Sequence, residues 1–322
     1  MKLVVTDGAT LSGGGVSLDI FSQFGEVQIY DLTAPEQLAE RVSDADGILC
    51  NKTPIPAELF DRCPKLRYVG ECATGYNNID IAAAKAHGVT VCNVAGYSTD
   101  AVAQHTFALI LHHYSRVAQY DAAVRQGAWK QAKTFCIMPY PMQELAGKTL
   151  AVVGYGSIGK RVAKILSGFG MYVLVCDPYV SRLEIDSPGF RKVDFDTLLR
   201  ESDFITCHLK VTDETRGMFS AEAFGKMKPT AFFINDCRGA IVDEAALIQA
   251  LRERKIAGAA LDVYEYEPLY AGHPFISENF DNLVLTPHIA GAAREIIANH
   301  TQMFVDDIVS FAEGRPLVHV VR

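Results

Sequence analysis

Short apolar runs alternate along this chain with longer segments in which apolar residues recur every three or four positions. In the first hundred residues the pattern predicts strands at Leu3–Thr6, Val27–Tyr30, Gly47–Cys50, Leu66–Gly70 and Val89–Val94, and helices at about Leu18–Phe24, Pro35–Val42, Ala57–Arg62 and Ile81–His87. Strands that alternate with helices pair in parallel, because each helical crossover returns the chain to the same end of the sheet. This region therefore predicts a parallel α/β sheet.

A long helix is predicted next, from Ser98 to about Gln126, with Ser98, Thr99 and Asp100 as N-cap candidates. Its apolar residues lie nearly all round the helix, which is typical of a helix that is buried on every side. We expect this helix to lie between two domains or between two subunits.

The alternation of strands and helices resumes at Thr149. Strands are predicted near Leu150 and Tyr172 and at Phe204–His208, Ala231–Asn235, Ala259–Val263 and Leu283–Thr286, followed by a helix at Arg294–Ala312. A chain of 322 residues is long enough for two domains of ordinary size. The second sheet is thus inserted between the first domain and the last helix, and the position of that helix suggests that it returns to the first domain.

A glycine motif opens the second sheet. Gly154, Gly156 and Gly159 follow an apolar strand and begin an amphipathic helix, and Asp177 ends the next strand 18 residues after Gly159. In this context the first glycine permits a tight turn, the second lets the backbone approach a pyrophosphate, and the third lets helix and sheet pack closely. The N–H groups at the helix start favour an anion. An acid at Asp177 suits ribose hydroxyls and repels a 2′-phosphate, so the motif predicts NAD as cofactor rather than NADP.

Composition narrows the partners and the location. The net charge of −8 gives no electrostatic footprint for nucleic acid or for an anionic membrane. A start that leads directly into a strand, with no long apolar stretch, predicts a cytoplasmic protein. The eight cysteines form no CxxC pair, so we expect them to be reduced and buried. No His, Asp, Glu or Cys pattern has metal-ligand spacing, and no metal is expected.

Three polar residues follow apolar strands of the second sheet, namely Arg238, Glu267 and His288. Ligands of open parallel sheets bind outside the carboxyl ends of the strands, so these side chains should meet in one cleft. A planar guanidinium grips a carboxylate at two points, and an imidazole can protonate an incipient alkoxide. A carboxylate bonded to that imidazole stabilises its protonated form. The set suits hydride transfer to a 2-keto acid.

Segments along the whole chain resemble those of the D-isomer-specific 2-hydroxyacid dehydrogenases. They are residues 73–80, 96–106, 145–149, 154–159, 212–217, 227–229, 237–244, 261–268 and 286–291. The resemblance implies two doubly wound parallel-sheet domains, with a Rossmann NAD-binding domain (residues 99–291) inserted in a flavodoxin-like substrate domain (residues 1–98 and 292–322). It also implies a homodimer that acts on a small-molecule 2-keto or 2-hydroxy acid.

The resemblance assigns roles to individual residues. The catalytic residues would be Arg238, Glu267 and His288. The cofactor would be bound by Gly154, Tyr155, Gly156, Ser157, Ile158, Gly159, Asp177, His208, Thr215, Cys237, Asp262 and His288. The substrate would be bound by Asn51, Thr74, Gly75 and Arg238, with the amides of Thr74 and Gly75 assisting at the carboxylate. Asp262 would hold the nicotinamide carboxamide.

Within the family, the loops at residues 51–54, 73–77 and 93–97 look most like those of glycerate dehydrogenases, also called hydroxypyruvate reductases. Phosphoglycerate dehydrogenase, another D-2-hydroxyacid specificity, and a non-catalytic NAD-sensing corepressor-like protein are the alternatives. Two residues depart from the family pattern near the expected cofactor site. Asp236 stands where Thr is usual and Lys210 where Pro is common, and the two are expected either to form a compensating charge pair or to weaken NAD binding.

The other histidines are assigned no chemical role. His105, His112 and His113 lie on the predicted long helix and are expected to be packing or interface residues. The remaining four, His87, His273, His300 and His319, show no partner pattern in the sequence.

Overall fold

The computed structural model describes residues 1–12, 17–94 and 96–321, with the side chains of 297–300 excepted. The chain forms two compact units, Met1–Ser98 with Gly291–Arg322, and Thr99–Ala290. The division predicted from the sequence has the same boundary after residue 98, and its second boundary lies after residue 291 instead of residue 290. We call the first the N-terminal unit and the second the nucleotide unit.

The N-terminal unit contains one parallel sheet with helices on both faces. Its elements are β1 (Lys2–Val5), α1 (Gly8–Ser12), a 3₁₀ helix (Leu18–Phe24), β2 (Glu26–Ile29), α2 (Pro35–Val42), β3 (Gly47–Cys50), α3 (Ala57–Arg62), β4 (Tyr68–Glu71), α4 (Ile81–Ala86), β5 (Thr90–Asn93) and the last helix of the chain, Arg294–Ala312. The strand order is β2-β1-β3-β4-β5, which is the flavodoxin-like order.

Alternate strand residues of this sheet point to opposite faces. Val4, Ile48 and Val69 pack with α2, α3 and α4 on one face. The other face packs against the 3₁₀ helix and the last helix, where the rings of Phe21 and Phe304 meet edge to face at 6.3 Å. The last helix does return to the N-terminal unit, as its position suggested.

The nucleotide unit contains a second parallel sheet. Its elements are α5 (Thr99–Ser115), α6 (Val117–Arg125), a 3₁₀ turn (Trp129–Gln131), β6 (Thr149–Val153), α7 (Ser157–Ser167), β7 (Tyr172–Cys176), α8 (Arg182–Asp186), β8 (Arg191–Lys192), α9 (Phe195–Glu201), β9 (Phe204–Cys207), α10 (Ala221–Lys226), β10 (Phe232–Asn235), a 3₁₀ turn (Gly239–Ile241), α11 (Glu244–Arg252), β11 (Gly258–Leu261), α12 (Pro274–Ser277) and β12 (Leu283–Leu285), so that the last helix of the chain is α13.

The strand order of this sheet is β12-β11-β10-β9-β6-β7-β8, which is the Rossmann order extended by one strand. One face packs against α5, α7 and α8, and the other against α9, α10 and α11. The predicted fold class is confirmed for both units. Among the described residues, none of the helices is long and apolar enough to cross a membrane.

The predicted long helix is wrong in one respect. It is broken between α5 and α6 at Arg116, whose φ of 53° lies in the left-handed region. A side chain other than glycine rarely adopts this conformation, and here it ends one helix and begins another. Helix α5 is buried through Ala103, Leu109 and Ile110, which pack within the nucleotide unit against α7 and the sheet. The expectation that every cysteine is buried is also wrong, since Cys136 is exposed.

Glu71 of the N-terminal unit has a buried carboxyl group with few hydrogen-bond donors around it. Glu71 at the end of β4 is fully buried; its Oε2 accepts hydrogen bonds from Asn78 Nδ2 (2.9 Å) and Cys50 Sγ (3.3 Å), and its Oε1 has no partner in the described part of the chain. Burial raises the pKa of Glu71 to about 8, because the charged form would be removed from water.

This shift predicts that the N-terminal unit loses stability as the pH rises from about 4.5 to 8. The folded state holds the Glu71 proton over that window and the unfolded state does not, so ionisation costs the fold up to about 4 kcal/mol. Glu71→Gln cannot ionise and should lose much less stability between pH 5 and pH 8. Hydrogen exchange of peptides from β3 and β4 would measure this, with exposed Glu58→Gln as the control. An identical pH dependence in Glu71→Gln and in the native protein would contradict the prediction.

Candidate functional site

The predicted site residues of the nucleotide unit stand in one row, set by the register of the sheet. The last residues of adjacent strands are paired with one another, from β7 through to β12. The residues that come directly after the strands therefore lie at the same level. In sheet order the row is Asp177, Gly154, His208, Asp236, Asp262 and Thr286. Neighbouring strands are about 4.8 Å apart, so the row extends roughly 19 Å from Asp177 to Asp262. A dinucleotide lying along the carboxyl edge would meet every member of it.

The glycines of the loop after β6 satisfy different spatial demands. Gly154 has φ +90°, and a Cβ there would lie 2.5 Å from the carbonyl oxygen of His208. At Gly159 a Cβ would lie 2.1 Å from the carbonyl oxygen of Gly154, so the helix and the loop touch at this point. Gly156 faces open space, and no side chain caps the N-terminus of α7. The cradle therefore fits a pyrophosphate, with the amides of Ser157 and Ile158 in the first turn of α7.

Asp177 fastens the glycine loop to the next strand. Its Oδ2 accepts from the amide of Tyr155 (2.8 Å), and its Oδ1 accepts from the amides of Tyr179 (2.8 Å) and Val180 (3.1 Å). Each carboxylate oxygen has two lone pairs, so acceptor capacity remains for a ligand hydroxyl. The side chain stands at the end of the row where the sequence predicted the ribose.

Arg238 is held by its neighbours in sequence. The buried Asn235 accepts from the amide of Cys237 (3.1 Å) and donates to the carbonyl of Arg238 (2.9 Å), which fixes the turn after β10. Gly239 then passes so close to the next loop that a Cβ would lie 1.9 Å from the carbonyl carbon of Tyr264. Among the described residues no carboxylate pairs with the Arg238 guanidinium, which donates only to the carbonyl of Cys237.

Glu267 and His288 form the predicted pair. Oε2 of Glu267 lies 2.6 Å from Nδ1 of His288, and Oε1 accepts from the amide of Tyr264 (2.9 Å). About one-third of each of the two side chains is exposed, so a ligand can reach the pair. His288 has a left-handed φ of 55°, a strained conformation for this residue type that often marks functional positions.

A second contact between a carboxylate and an imidazole supports the Glu267 loop, and the sequence did not predict it. Oε2 of Glu244 lies 3.2 Å from Nε2 of His273, and Oε1 of Glu244 accepts from the amide of Glu265 (2.8 Å). The two residues are 29 positions apart in the sequence, so no local pattern signals the contact. His87 and His319 also have acidic partners, at Asp61 and Asp307. The side chain of His300 lies outside the described residues.

Asp262 anchors the segment that carries His288. It is fully buried; its Oδ1 accepts from the hydroxyl of Thr286 (2.5 Å) and the amide of Ile289 (2.9 Å), and its Oδ2 accepts from the amide of Ala290 (2.8 Å). These three hydrogen bonds fix the position of its carboxyl group. His105 of α5 lies 3.6 Å from Oδ1 of Asp262, so the packing role assigned to this histidine is incomplete.

Thr215 and His208 have structural contacts that the resemblance did not describe. The Thr215 hydroxyl bonds to the carbonyl of Lys210 (2.7 Å) and so shapes the loop after β9. The His208 ring is buried, with Nε2 3.0 Å from the Thr206 hydroxyl. Lys210 is exposed and, in the described part of the chain, forms no ion pair with Asp236, so the suggested charge pair between them is absent.

The predicted substrate loops belong to the N-terminal unit. Asp7, at the end of β1, accepts from the amides of Asn51 (3.0 Å), Lys52 (2.5 Å) and Thr53 (3.0 Å), and thereby holds the loop after β3. Thr74 is fixed through its carbonyl, which accepts from Asn93 Nδ2 at 2.7 Å. Gly75 follows it in the loop after β4. The substrate contacts of Asn51, Thr74 and Gly75 stay predictions.

Residues 107–290 match the family model described as D-isomer specific 2-hydroxyacid dehydrogenase, NAD binding domain. The chain belongs to this family. It is 36% identical to a hydroxypyruvate reductase of Blautia hydrogenotrophica over 98% of both chains, and 38% identical to a glycerate dehydrogenase of Methylorubrum extorquens over 90% of both. Other relatives at 39% identity are named glyoxylate reductase and D-3-phosphoglycerate dehydrogenase.

Solved structures agree with this assignment. A D-lactate dehydrogenase of Aquifex aeolicus, complexed with NAD and lactic acid, matches with a TM-score of 0.84 and 27% identity, and the match covers 98% of this chain and 96% of that one. The protein is therefore an NAD-dependent oxidoreductase of the 2-hydroxyacid dehydrogenases, and the nucleotide unit is its NAD-binding domain. The family and the cofactor expected from the sequence are confirmed.

The glycine loop yields a matched pair of substitutions. Gly159→Ala places a methyl group against the Gly154 carbonyl and should lower the free energy of unfolding by about 1–3 kcal/mol or more. Gly156→Ala meets no atom within 4 Å and should leave stability nearly unchanged, while weakening NADH binding at the pyrophosphate cradle. Urea denaturation and NADH fluorescence titration measure the two effects. Equal stability of the two variants would contradict this reading of the loop.

Proposed function

We propose that this protein reduces hydroxypyruvate to D-glycerate with NADH, and catalyses the reverse oxidation with NAD. The 2.6 Å contact between Glu267 and His288 carries the proposal, because it holds a proton donor in one orientation. Arg238 follows a neighbouring part of the same sheet, and no carboxylate of the described residues pairs with its guanidinium. The names of the hydroxypyruvate reductase and glycerate dehydrogenase relatives support the choice of substrate.

Each residue of this set has one task in the proposed reaction. Arg238 binds the substrate carboxylate, since its guanidinium offers two parallel N–H donors and has no competing acid. Glu267 accepts a hydrogen bond from Nδ1–H of His288, so that Nε2–H of the protonated imidazole is the group that donates to the carbonyl oxygen of the keto acid. The bound cofactor supplies the hydride. Asp177 favours NADH over NADPH, because its charge repels a 2′-phosphate.

Two finer statements accompany this proposal. We propose a homodimer and a cytoplasmic location, as expected from the sequence and the family resemblance. Size-exclusion chromatography with light scattering would test the first and fractionation of native cells the second.

An NADH-oxidation assay over hydroxypyruvate, glyoxylate, pyruvate and 3-phosphohydroxypyruvate tests the substrate. We expect the highest kcat/KM with hydroxypyruvate, and a value at least about tenfold lower when NADPH replaces NADH, a difference of about 1.4 kcal/mol. A preference for the phosphorylated substrate would establish the phosphoglycerate dehydrogenase alternative instead. Tight NADH binding without turnover of any of the four acids would support the NAD-sensing alternative.

Replacing Glu267 with Gln tests the proton donor. The change removes the negative charge beside His288 but keeps the shape, so the protonated imidazole loses stabilisation. The pH above which keto-acid reduction declines should move to a lower value, while NADH affinity changes little. Glu265→Gln is the matched control, because Glu265 is exposed and two residues away. If the control moves the pH profile and Glu267→Gln does not, the roles of the two acids are reversed.

A further inference from the structure

Asp236 is a buried acid, and one oxygen of its carboxyl group faces a ring nitrogen of His208 without a hydrogen-bond donor to it. Its carboxyl group is fully buried at the end of β10, where it contacts His208 of the β9 end and Thr106 of α5 and has Asp262 of the β11 end as its neighbour in the row; His105 of α5 lies 3.6 Å from that Asp262. No cation of the described residues pairs with it. Burial, with a further contribution from Asp262, raises the pKa of Asp236 to about 7.

The hydrogen bonds around Asp236 fit a protonated carboxyl. The Thr206 hydroxyl donates to the Ala151 carbonyl (3.4 Å), so it accepts from Nε2–H of His208, and Nδ1 of His208 is then a bare acceptor. That Nδ1 faces Oδ1 of Asp236 at 3.7 Å, and neither atom has another partner in the described part of the chain. Two acceptors face each other, and a proton on Asp236 removes the conflict.

The second carboxyl oxygen does not need the proton. Oδ2 of Asp236 accepts a hydrogen bond from the Thr106 hydroxyl, which also lies 2.9 Å from the Val102 carbonyl of its own helix. The proton of the neutral carboxyl group therefore belongs on Oδ1, opposite Nδ1 of His208. Burial also lowers the pKa of His208 to about 3, so His208 supplies no positive charge to Asp236.

Asp262, at the end of β11, makes a negative charge on Asp236 less favourable. Asp262 accepts hydrogen bonds from the Thr286 hydroxyl and two amides, stands one strand from Asp236 in the same row, and contributes to the raised pKa of Asp236. A further negative charge beside it becomes favourable only when a positive charge arrives. The oxidised nicotinamide ring is a cation and the reduced ring is neutral. Asp177 and the glycine loop lie on the β7 and β6 side of the row, which leaves the β10–β11 side for the nicotinamide.

We propose that Asp236 distinguishes the oxidised from the reduced cofactor by releasing its proton when NAD⁺ binds and keeping it when NADH binds. The inference rests on the proposed position of the nicotinamide. NAD⁺ affinity should then rise with pH between about 6 and 8, on the order of tenfold in total, whereas NADH affinity should change little. Asp236 is therefore a specificity residue for cofactor redox state.

Isothermal titration of NAD⁺ and NADH in two buffers of different ionisation enthalpy counts the protons released on binding. At pH 6.5 we expect the native protein to release a larger fraction of a proton with NAD⁺ than with NADH, and Asp236→Asn to lose most of that difference. His288 remains in the variant, so any proton that it contributes stays in both proteins. Glu71→Gln removes a different buried neutral acid, in the other unit, and should release protons as the native protein does.

The outcomes separate this inference from the proposed function. Equal proton release in the native protein and Asp236→Asn, with NADH still bound, overturns the role of Asp236 and leaves the dehydrogenase intact. Equal weakening of NAD⁺ and NADH at every pH in Asp236→Asn indicates a merely structural residue and also overturns the inference. If the Asn variant does not fold, infrared spectra of Glu71→Gln, which lacks the other buried neutral acid, decide: the remaining protonated carboxyl band should disappear with NAD⁺ and persist with NADH. Its persistence in both complexes overturns the inference.

Discussion

The register of the seven-stranded sheet is the constraint on which the rest of the nucleotide unit depends. Backbone hydrogen bonds between parallel strands bring Asp177, Gly154, His208, Asp236, Asp262 and Thr286 to one level, although they come from positions more than a hundred residues apart. A slip by one residue would turn each side chain to the other face of the sheet. Residues of β9, β10 and β11 are buried on both faces, as are those of β6 from Leu150 onward, which makes such a slip costly.

Side chains then attach the site loops to this row. Asp262 ties down the segment that bears His288, and Asn235 closes the turn that bears Arg238. Glu244, paired with His273, secures the loop that bears Glu267. Each anchor is more buried than the residue that it positions, so the reactive groups are accessible and their supports are not. Because the supporting residues are buried, Glu267 and His288 can contact a ligand and keep their relative position.

Much of this arrangement could be predicted because it follows from local patterns. Apolar runs indicate the strands, and the strand-end rule predicts the pairing of Glu267 with His288 that the structure shows. The convergence of Arg238 on the same cleft stays a prediction. The anchors could not be predicted, since Glu244 with His273 and Asp236 with Thr106 are contacts between distant segments that leave no periodic signal. The break at Arg116 was missed for a different reason, because its flanking residues continue a helical pattern and a single left-handed residue interrupts it. Of the two alternatives for Lys210, the charge pair with Asp236 is wrong, because charge complementarity in sequence does not establish proximity; weaker NAD binding stays a prediction.

The contact of Gly239 with the backbone of Tyr264 has an evolutionary consequence. Because no side chain fits between them, the turn that follows Arg238 and the loop that leads to Glu267 are joined at van der Waals distance. Neither can be displaced by a larger neighbour without displacing the other. If related proteins evolve to bind longer or bulkier 2-keto acids, we expect the substitutions to lie outside these two loops. Mutational libraries aimed at a new substrate would gain little from residues 238–239 or 264–267.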